Sequence, residues 1–140
     1  MENQIIYAYV AGLIDGEGTI TLTKINSNKK FRYPVLSLTS TTYSFLEYLK
    51  SNFGGTICPN KVYKDNHRPS WHWKLVGNKT IDLLIHILPY MLEPDKKYRG
   101  NLIVNEYLNL TPRNGKYTVD MEKLKYDFEY RFFHPSDTLD

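Results

Sequence analysis

Apolar and polar positions along the chain alternate between a helical and a strand rhythm, and the alternation repeats. Residues 5–14 are apolar nearly all round, which predicts a helix touching neighbours on more than one side. Gly16 and Gly18 are expected to close it, because glycine accepts the left-handed backbone that ends helices. Residues 19–25 then alternate polar and apolar, the signature of a strand with one buried face. A turn at 26–30 leads to a return strand at 33–39. Phe45, Leu46, Leu49 and Phe53 recur at helical spacing within 42–53, stopped by Gly54 and Gly55. The order then repeats, with strands at 56–63 and 70–76 around a turn at 65–69, and a helix at 80–88 running to Pro89. A further helix is predicted over 95–110, broken by the Thr-Pro-Arg-Asn-Gly run at 111–115. Met121, Leu124, Phe128 and Phe132 form a last helical stripe, read as core.

Helix, two strands, helix, two strands, helix implies an α+β fold, with an antiparallel sheet carrying helices on one face. No linker or low-complexity stretch divides the chain, so residues 1–140 are expected to form one domain. The 41% hydrophobic and 14% aromatic content can supply a real core. Cys58 is the single cysteine, which leaves no internal disulfide, and the four histidines lack metal-ligand spacing. The apolar stretch near the N-terminus is too short for a bilayer and lacks a basic flank. No membrane role and an intracellular location are the resulting expectations.

Charge adds a second layer. Residues 18–81 carry ten basic side chains against Glu47 and Asp65, net +8, while the remainder is net −5. Such segregation puts a positive field over one part of the fold, as a polyanion partner requires. Alternation assigns the faces. Ile20 and Leu22 are expected in the core, as are Trp71, Trp73 and Leu75. Thr21, Thr23, Lys24, Ser37, Thr39, Ser70, His72 and Lys74 are then left outward. A twisted β-ribbon fits the major groove of double-stranded DNA, where such side chains read base edges. Lys29, Lys30, Arg32, Lys61, Lys64 and Arg68 suit phosphate neutralisation. Each lysine taken singly is as compatible with plain solvation, and His72 with an ordinary strand position.

The chemistry concentrates in Val10-Ala11-Gly12-Leu13-Ile14-Asp15-Gly16-Glu17-Gly18. Gly12 and Gly16 share one helical face, where missing side chains let a second backbone approach. A carboxylate at the end of such a helix is brought near its mate, and two like charges at close range call for cations. Hard divalent ions with oxygen ligands meet that need. The stretch resembles the motif that names the LAGLIDADG homing endonuclease family, with six of nine letters identical. Val10, Gly16 and Glu17 are the departures.

The resemblance extends over roughly residues 5–110, through the hairpin from Thr19, the strand and helix from Pro34 to Gly55, and the segment at 95–102. It implies the family's αββαββα arrangement with a saddle-shaped antiparallel sheet. As a single-motif chain it implies a homodimer joined through Ala8, Val10, Ala11, Gly12, Leu13, Asp15 and Gly16. It further implies Glu17 and the Gly16 carbonyl as metal ligands, and Lys96 (or Lys97) as the active-site lysine. The metal implied is Mg²⁺ or Mn²⁺, with Ca²⁺ as a non-catalytic substitute. Many relatives carry Gln where this chain has Ser40, followed by Thr41, so a second catalytic position falls on a shorter side chain. The implied reaction is a double-strand break in a long pseudo-palindromic site, leaving 3′ overhangs, in bacterial cytoplasm or an organelle. A maturase binding intron RNA, or a non-cleaving DNA-binding protein, uses the same fold. A metabolic α+β enzyme lacks support, since neither a phosphate-cradling loop nor a nucleophile elbow is present.

Overall fold

The computed structural model describes residues 2–62 and 68–135. The chain runs α1 (Glu2–Glu17), β1 (Gly18–Thr23), β2 (Tyr33–Ser40), α2 (Tyr43–Phe53), β3 (Thr56–Pro59), β4 (Trp71–Val76), α3 (Asn78–Ile87), α4 (Pro94–Leu102) and α5 (Val119–Phe133). The four strands form one antiparallel sheet in the order β1-β2-β4-β3. This is the α+β, αββαββα arrangement expected, followed by α4 and α5.

Register explains which residues face the core. Ile20 pairs with Leu36 and Leu36 with Leu75, while Leu38 pairs with Trp73. All five side chains are buried and join Val10, Ala11 and Ile14 of α1, Leu46 and Leu49 of α2, and Ile81, Leu84 and Ile87 of α3. Helices therefore cover one face of the sheet and the other stays open. Trp71, expected in the core, is only half-buried, and Phe45 is exposed on α2. Buried Trp73 donates its indole N–H to the Gly54 carbonyl at 2.8 Å. Gly55 follows at φ +89°, and a Cβ there would lie 2.6 Å from the Lys74 carbonyl oxygen, so only glycine fits this corner.

Three expectations change. First, α1 continues through Gly16 to Glu17, and Gly16 has no positive φ. The left-handed stop is unnecessary because the Lys96 ammonium donates to the Ile14 and Asp15 carbonyls, each at 2.9 Å, and satisfies the helix end. Gly18 instead serves close approach, since a Cβ would sit 2.8 Å from the Ile14 Cα. Second, β3 ends at Pro59 rather than 63, as proline cannot donate to a ladder and this is an edge strand. The helix expected over 95–110 is likewise α only to Leu102, then passes through a π turn (Ile103–Tyr107) and a 3₁₀ turn (Leu108–Leu110).

Third, the stripe of α5 is shifted by one residue. Phe128 and Phe132 are buried as expected, but Leu124 is 55% exposed and Lys125 is 0% exposed. The lysine tolerates burial because its ammonium donates to Thr111 Oγ1 and lies 4.0 Å from the Tyr107 ring centroid. Burial lowers its pKa from 10.5 to about 8, against a smaller upward pull from Glu129. Between those values the unfolded chain holds a proton that the folded chain has released, so stability rises with pH across that window. Burial also raises the Tyr107 and Tyr117 phenols, which makes stability fall again above their ordinary value of 10. The expected result is a thermal midpoint that climbs from pH 8 towards 10, and a flatter profile for Lys125→Met. Identical profiles would show that Lys125 does not titrate in this window.

Candidate active site and nucleic-acid interface

The two acids of the nonamer have different fates. Asp15 Oδ2 accepts the Leu92 N–H at 2.9 Å and Oδ1 accepts the Glu93 N–H at 3.1 Å. It therefore ties the end of α1 to the start of α4, whose first turn is capped by Glu93 Oε2 accepting the Lys96 N–H at 2.6 Å. Glu17 is exposed, and among the described residues no hydrogen bond or ion pair holds its carboxylate. One anchored acid and one free acid sit within a single turn.

Glu17 shares a concavity with Leu13, Leu38, Thr39, Ser40, Thr41, Phe45 and Ser70. Ser40 thus lies in the same cleft as Glu17, with its Oγ accepting the Thr42 N–H at 2.9 Å. Lys96 lines a different concavity, with Gly18, Thr19, Asp95 and Arg99, on the other flank of the α1 end. The structure brings Glu17 and Ser40 together and sets Lys96 beneath the helix terminus, with its ammonium on the Ile14 and Asp15 carbonyls. Among the described residues no three His, Cys, Asp or Glu side chains cluster as a metal cage. An exposed carboxylate beside a backbone carbonyl at Gly16 nonetheless suits Mg²⁺, which takes one or two carboxylates and leaves the rest of its shell to phosphate and water.

The open face of the sheet carries Thr21, Thr23, Ser37, Thr39, His72 and Lys74 on one side, as alternation predicted. The register adds Thr19, Thr56 and Cys58. Thr19 lies within the predicted alternation. Thr56 and Cys58 sit on a four-residue strand too short to show a period. Ser70 is bonded into a network with Asn60 and His72. Lys29 is exposed in the β1–β2 loop, and Lys61 and Arg68 are exposed between β3 and β4. Lys64 lies outside the described residues.

Lys30 and Arg32 depart from the phosphate-contact reading. Lys30 donates to Glu122 of α5 at 3.0 Å, which raises its pKa. Arg32 donates from its guanidinium to Glu129 Oε1 at 2.6 Å and from its backbone to Oε2 at 2.9 Å. Phe31 between them contacts the Tyr117 and Tyr126 rings. The first hairpin loop is thereby clamped to α5, and half-buried Lys24 lies over the same helix with Tyr126 and Tyr130. A cation already neutralised by a carboxylate releases few counterions when DNA binds. On a reading of this surface as a DNA contact, Lys30→Gln should therefore leave the salt dependence of affinity unchanged, whereas Lys61→Gln, at an exposed position, lowers the slope of log affinity against log salt by about 0.9. Equal slopes for the two variants would refute the distinction.

On α1, Ala8, Gly12 and Gly16 are exposed with Ile5 and Tyr9 on one face, and Leu13 is half-buried at its margin. Val10 and Ala11 are 0% exposed and pack inside the subunit. They are therefore not available to a partner helix, contrary to the expectation from the motif. The helix is apolar on both sides, and letters alone do not say which side packs inside the subunit. Among the described residues no helix is long and apolar enough to cross a membrane.

Residues 10–103 match the model of the family described as LAGLIDADG endonuclease. The chain is 34% identical over 122 residues to the intron-encoded DNA endonuclease aI3 of Saccharomyces cerevisiae, covering 84% of this chain and 29% of that protein. Among solved structures it resembles the homing endonuclease I-CvuI in complex with its target in the presence of Ca, with TM-score 0.72 at 18% identity, covering 94% of this chain and 82% of that one. It also resembles the archaeal intron-encoded homing endonuclease I-Vdi141I complexed with DNA, with TM-score 0.59 at 18% identity, covering 92% and 82%. The likeness to I-GzeII in complex with its DNA target has TM-score 0.55 at 23% identity and covers 92% of this chain but 41% of that one.

Proposed function

The chain belongs to the LAGLIDADG endonuclease family, and on that premise we propose that it is one subunit of a homodimeric, divalent-metal-dependent homing endonuclease. Its product is a double-strand break in a long, nearly palindromic DNA site, with 3′ overhangs. The observation that carries this reading is the end of α1: a free Glu17 carboxylate beside an exposed face of Ala8, Gly12 and Gly16.

Dimerisation pairs that face with its copy about a twofold axis, which brings the two Glu17 carboxylates together and makes the target palindromic. Each subunit lays the open face of its sheet in the major groove on one side of the axis. Glu17 and the Gly16 carbonyl are the groups that would hold a divalent metal, which when bound would supply activation of water and charge stabilisation at the leaving 3′ oxygen. Asp15 contributes by fixing the terminal turn of α1 against α4, so that Glu17 projects from a rigid end. Lys96 holds the same turn from below, its ammonium on the Ile14 and Asp15 carbonyls, and puts positive charge behind the turn that bears Glu17. Ser40 orients water within the cleft it shares with Glu17.

The direct test incubates purified protein and Mg²⁺ with a randomised double-stranded DNA library and sequences the cut ends. Recovery of a long, near-palindromic site with short 3′ overhangs is the expected result. Absence of enriched cuts at full library coverage, with the dimer intact, would overturn the cleavage reading.

A further inference from the structure

His72 stands in the middle of the open sheet face, opposite Thr39 of β2 and Cys58 of β3. It is half-buried, and its orientation is not left to chance. Its Nδ1 lies 2.7 Å from Asn60 Oδ1. Asn60 is itself held twice by Ser70: its Nδ2 donates to Ser70 Oγ at 3.0 Å, and its backbone N–H donates to the Ser70 carbonyl at 2.9 Å. An amide oxygen only accepts, so Nδ1 must carry the hydrogen. A neutral imidazole with its hydrogen on Nδ1 presents Nε2 as a bare acceptor. Among the described residues nothing bonds that nitrogen. Its neighbours in the register are Thr39 and Cys58, with Lys74 two positions along the strand.

We propose that His72 is a specificity-determining residue, locked by Asn60 and Ser70 as the Nδ1–H tautomer so that Nε2 selects a base offering an exocyclic amine. This rests on the DNA-binding reading of the open sheet face. In the major groove adenine N6 and cytosine N4 donate, whereas guanine presents N7 and O6 and thymine presents O4, all acceptors. An acceptor aimed at the groove therefore admits adenine or cytosine and meets unpaired lone pairs at guanine or thymine. Reversing the Asn60 amide, with Ser70 donating to Oδ1 and Nδ2 donating to His72 Nδ1, turns Nε2 into a donor and inverts the preference. The two arrangements thus make opposite predictions about one base pair.

The test selects bound duplexes from a randomised double-stranded DNA library with the full dimeric protein in Ca²⁺, then repeats the selection with His72→Ala and Asn60→Asp. The base pair read by His72 is the one whose preference His72→Ala relaxes, by about tenfold, equivalent to about 1.4 kcal/mol. Replacing the adenine or cytosine of that pair by an analogue that lacks only the exocyclic amine should weaken binding of the unsubstituted protein about tenfold and leave His72→Ala unaffected, which supports the proposal. An equal effect on both proteins, or no position relaxed, overturns it. Asn60→Asp keeps the ring in place but puts a carboxylate on Nδ1, which favours the imidazolium and makes Nε2–H a donor. Loss of the dependence on that exocyclic amine in this variant supports the assignment, and an unchanged dependence counts against it. Failure to enrich any site overturns the DNA-binding reading together with this one, whereas an enriched site indifferent to both substitutions overturns this one alone.

Discussion

Glu17→Gln is expected to abolish cutting, lowering the cleavage rate by at least about 100-fold, the scale set by removal of one preorganised catalytic group. Glutamine keeps the length and shape of the side chain and loses only the charge that holds a divalent cation. Because Glu17 is exposed and bonds to nothing among the described residues, the subunit should fold and melt as before. DNA affinity should stay within about threefold, since the basic side chains that neutralise phosphate are elsewhere. Single-turnover cleavage and a binding titration on the same duplex separate the two. Normal cleavage by the variant would show that Glu17 does not hold the metal. Asp15→Asn is the informative control. Asp15 receives two backbone N–H groups, so its variant should lose thermal stability as well as activity.

The second large effect is expected at Gly12. A Cβ built there meets nothing within 4 Å, so leucine costs the isolated subunit no contact. It should even gain roughly 0.5–1 kcal/mol in helix propensity over glycine. In a dimer closed through this face the same side chain must be accommodated between two backbones. Overpacking costs roughly 1–3 kcal/mol per site, and twofold symmetry counts it in both subunits. Gly12→Leu should therefore weaken dimerisation at least about 30-fold while leaving or raising the melting temperature of the monomer. Sedimentation across a concentration series reads the first quantity and calorimetry at low concentration the second. An unaltered dimer mass would place the interface somewhere other than this face of α1. Val10→Ala behaves oppositely under the same scheme, because Val10 is buried in the subunit core, and its loss lowers stability before it touches assembly.

Those contrasting substitutions mark how far local pattern reaches. Alternation from Thr19 to Leu22 assigned the sheet faces correctly, because a pleated strand has only two sides and one must be apolar. The nonamer was legible for a related reason: Gly12, Asp15, Gly16 and Glu17 are all within the last turns of one helix. On α1, however, Ala8 and Gly12 face outward while Val10 and Ala11 face the core, and a helix apolar all round carries no mark to tell them apart. The stripe on α5 failed at Lys125 because burial of an ammonium depends on an acceptor and an aromatic ring, Thr111 and Tyr107, contributed by another segment. The ion pairs of Lys30 and Arg32, two side chains read from the sequence as phosphate contacts, were hidden for the same kind of cause. Their partners Glu122 and Glu129 are far along the chain and arrive only when α5 docks.

What local letters settled here are properties within one turn or one strand: element order, sheet faces, and the pair of acids at the end of α1. Pairings across the chain were settled only by folding: which acid is tied down and which is free, which lysine caps the helix, and which cations are already paired with carboxylates. The physical reason is range. Periodicity and backbone preference act between residues a few positions apart, whereas a hydrogen bond or ion pair is decided by whatever tertiary contact brings within about 3 Å. Asp15 and Glu17 are two residues apart and chemically alike, yet Leu92 and Glu93 make one a structural tie, while the other stays exposed.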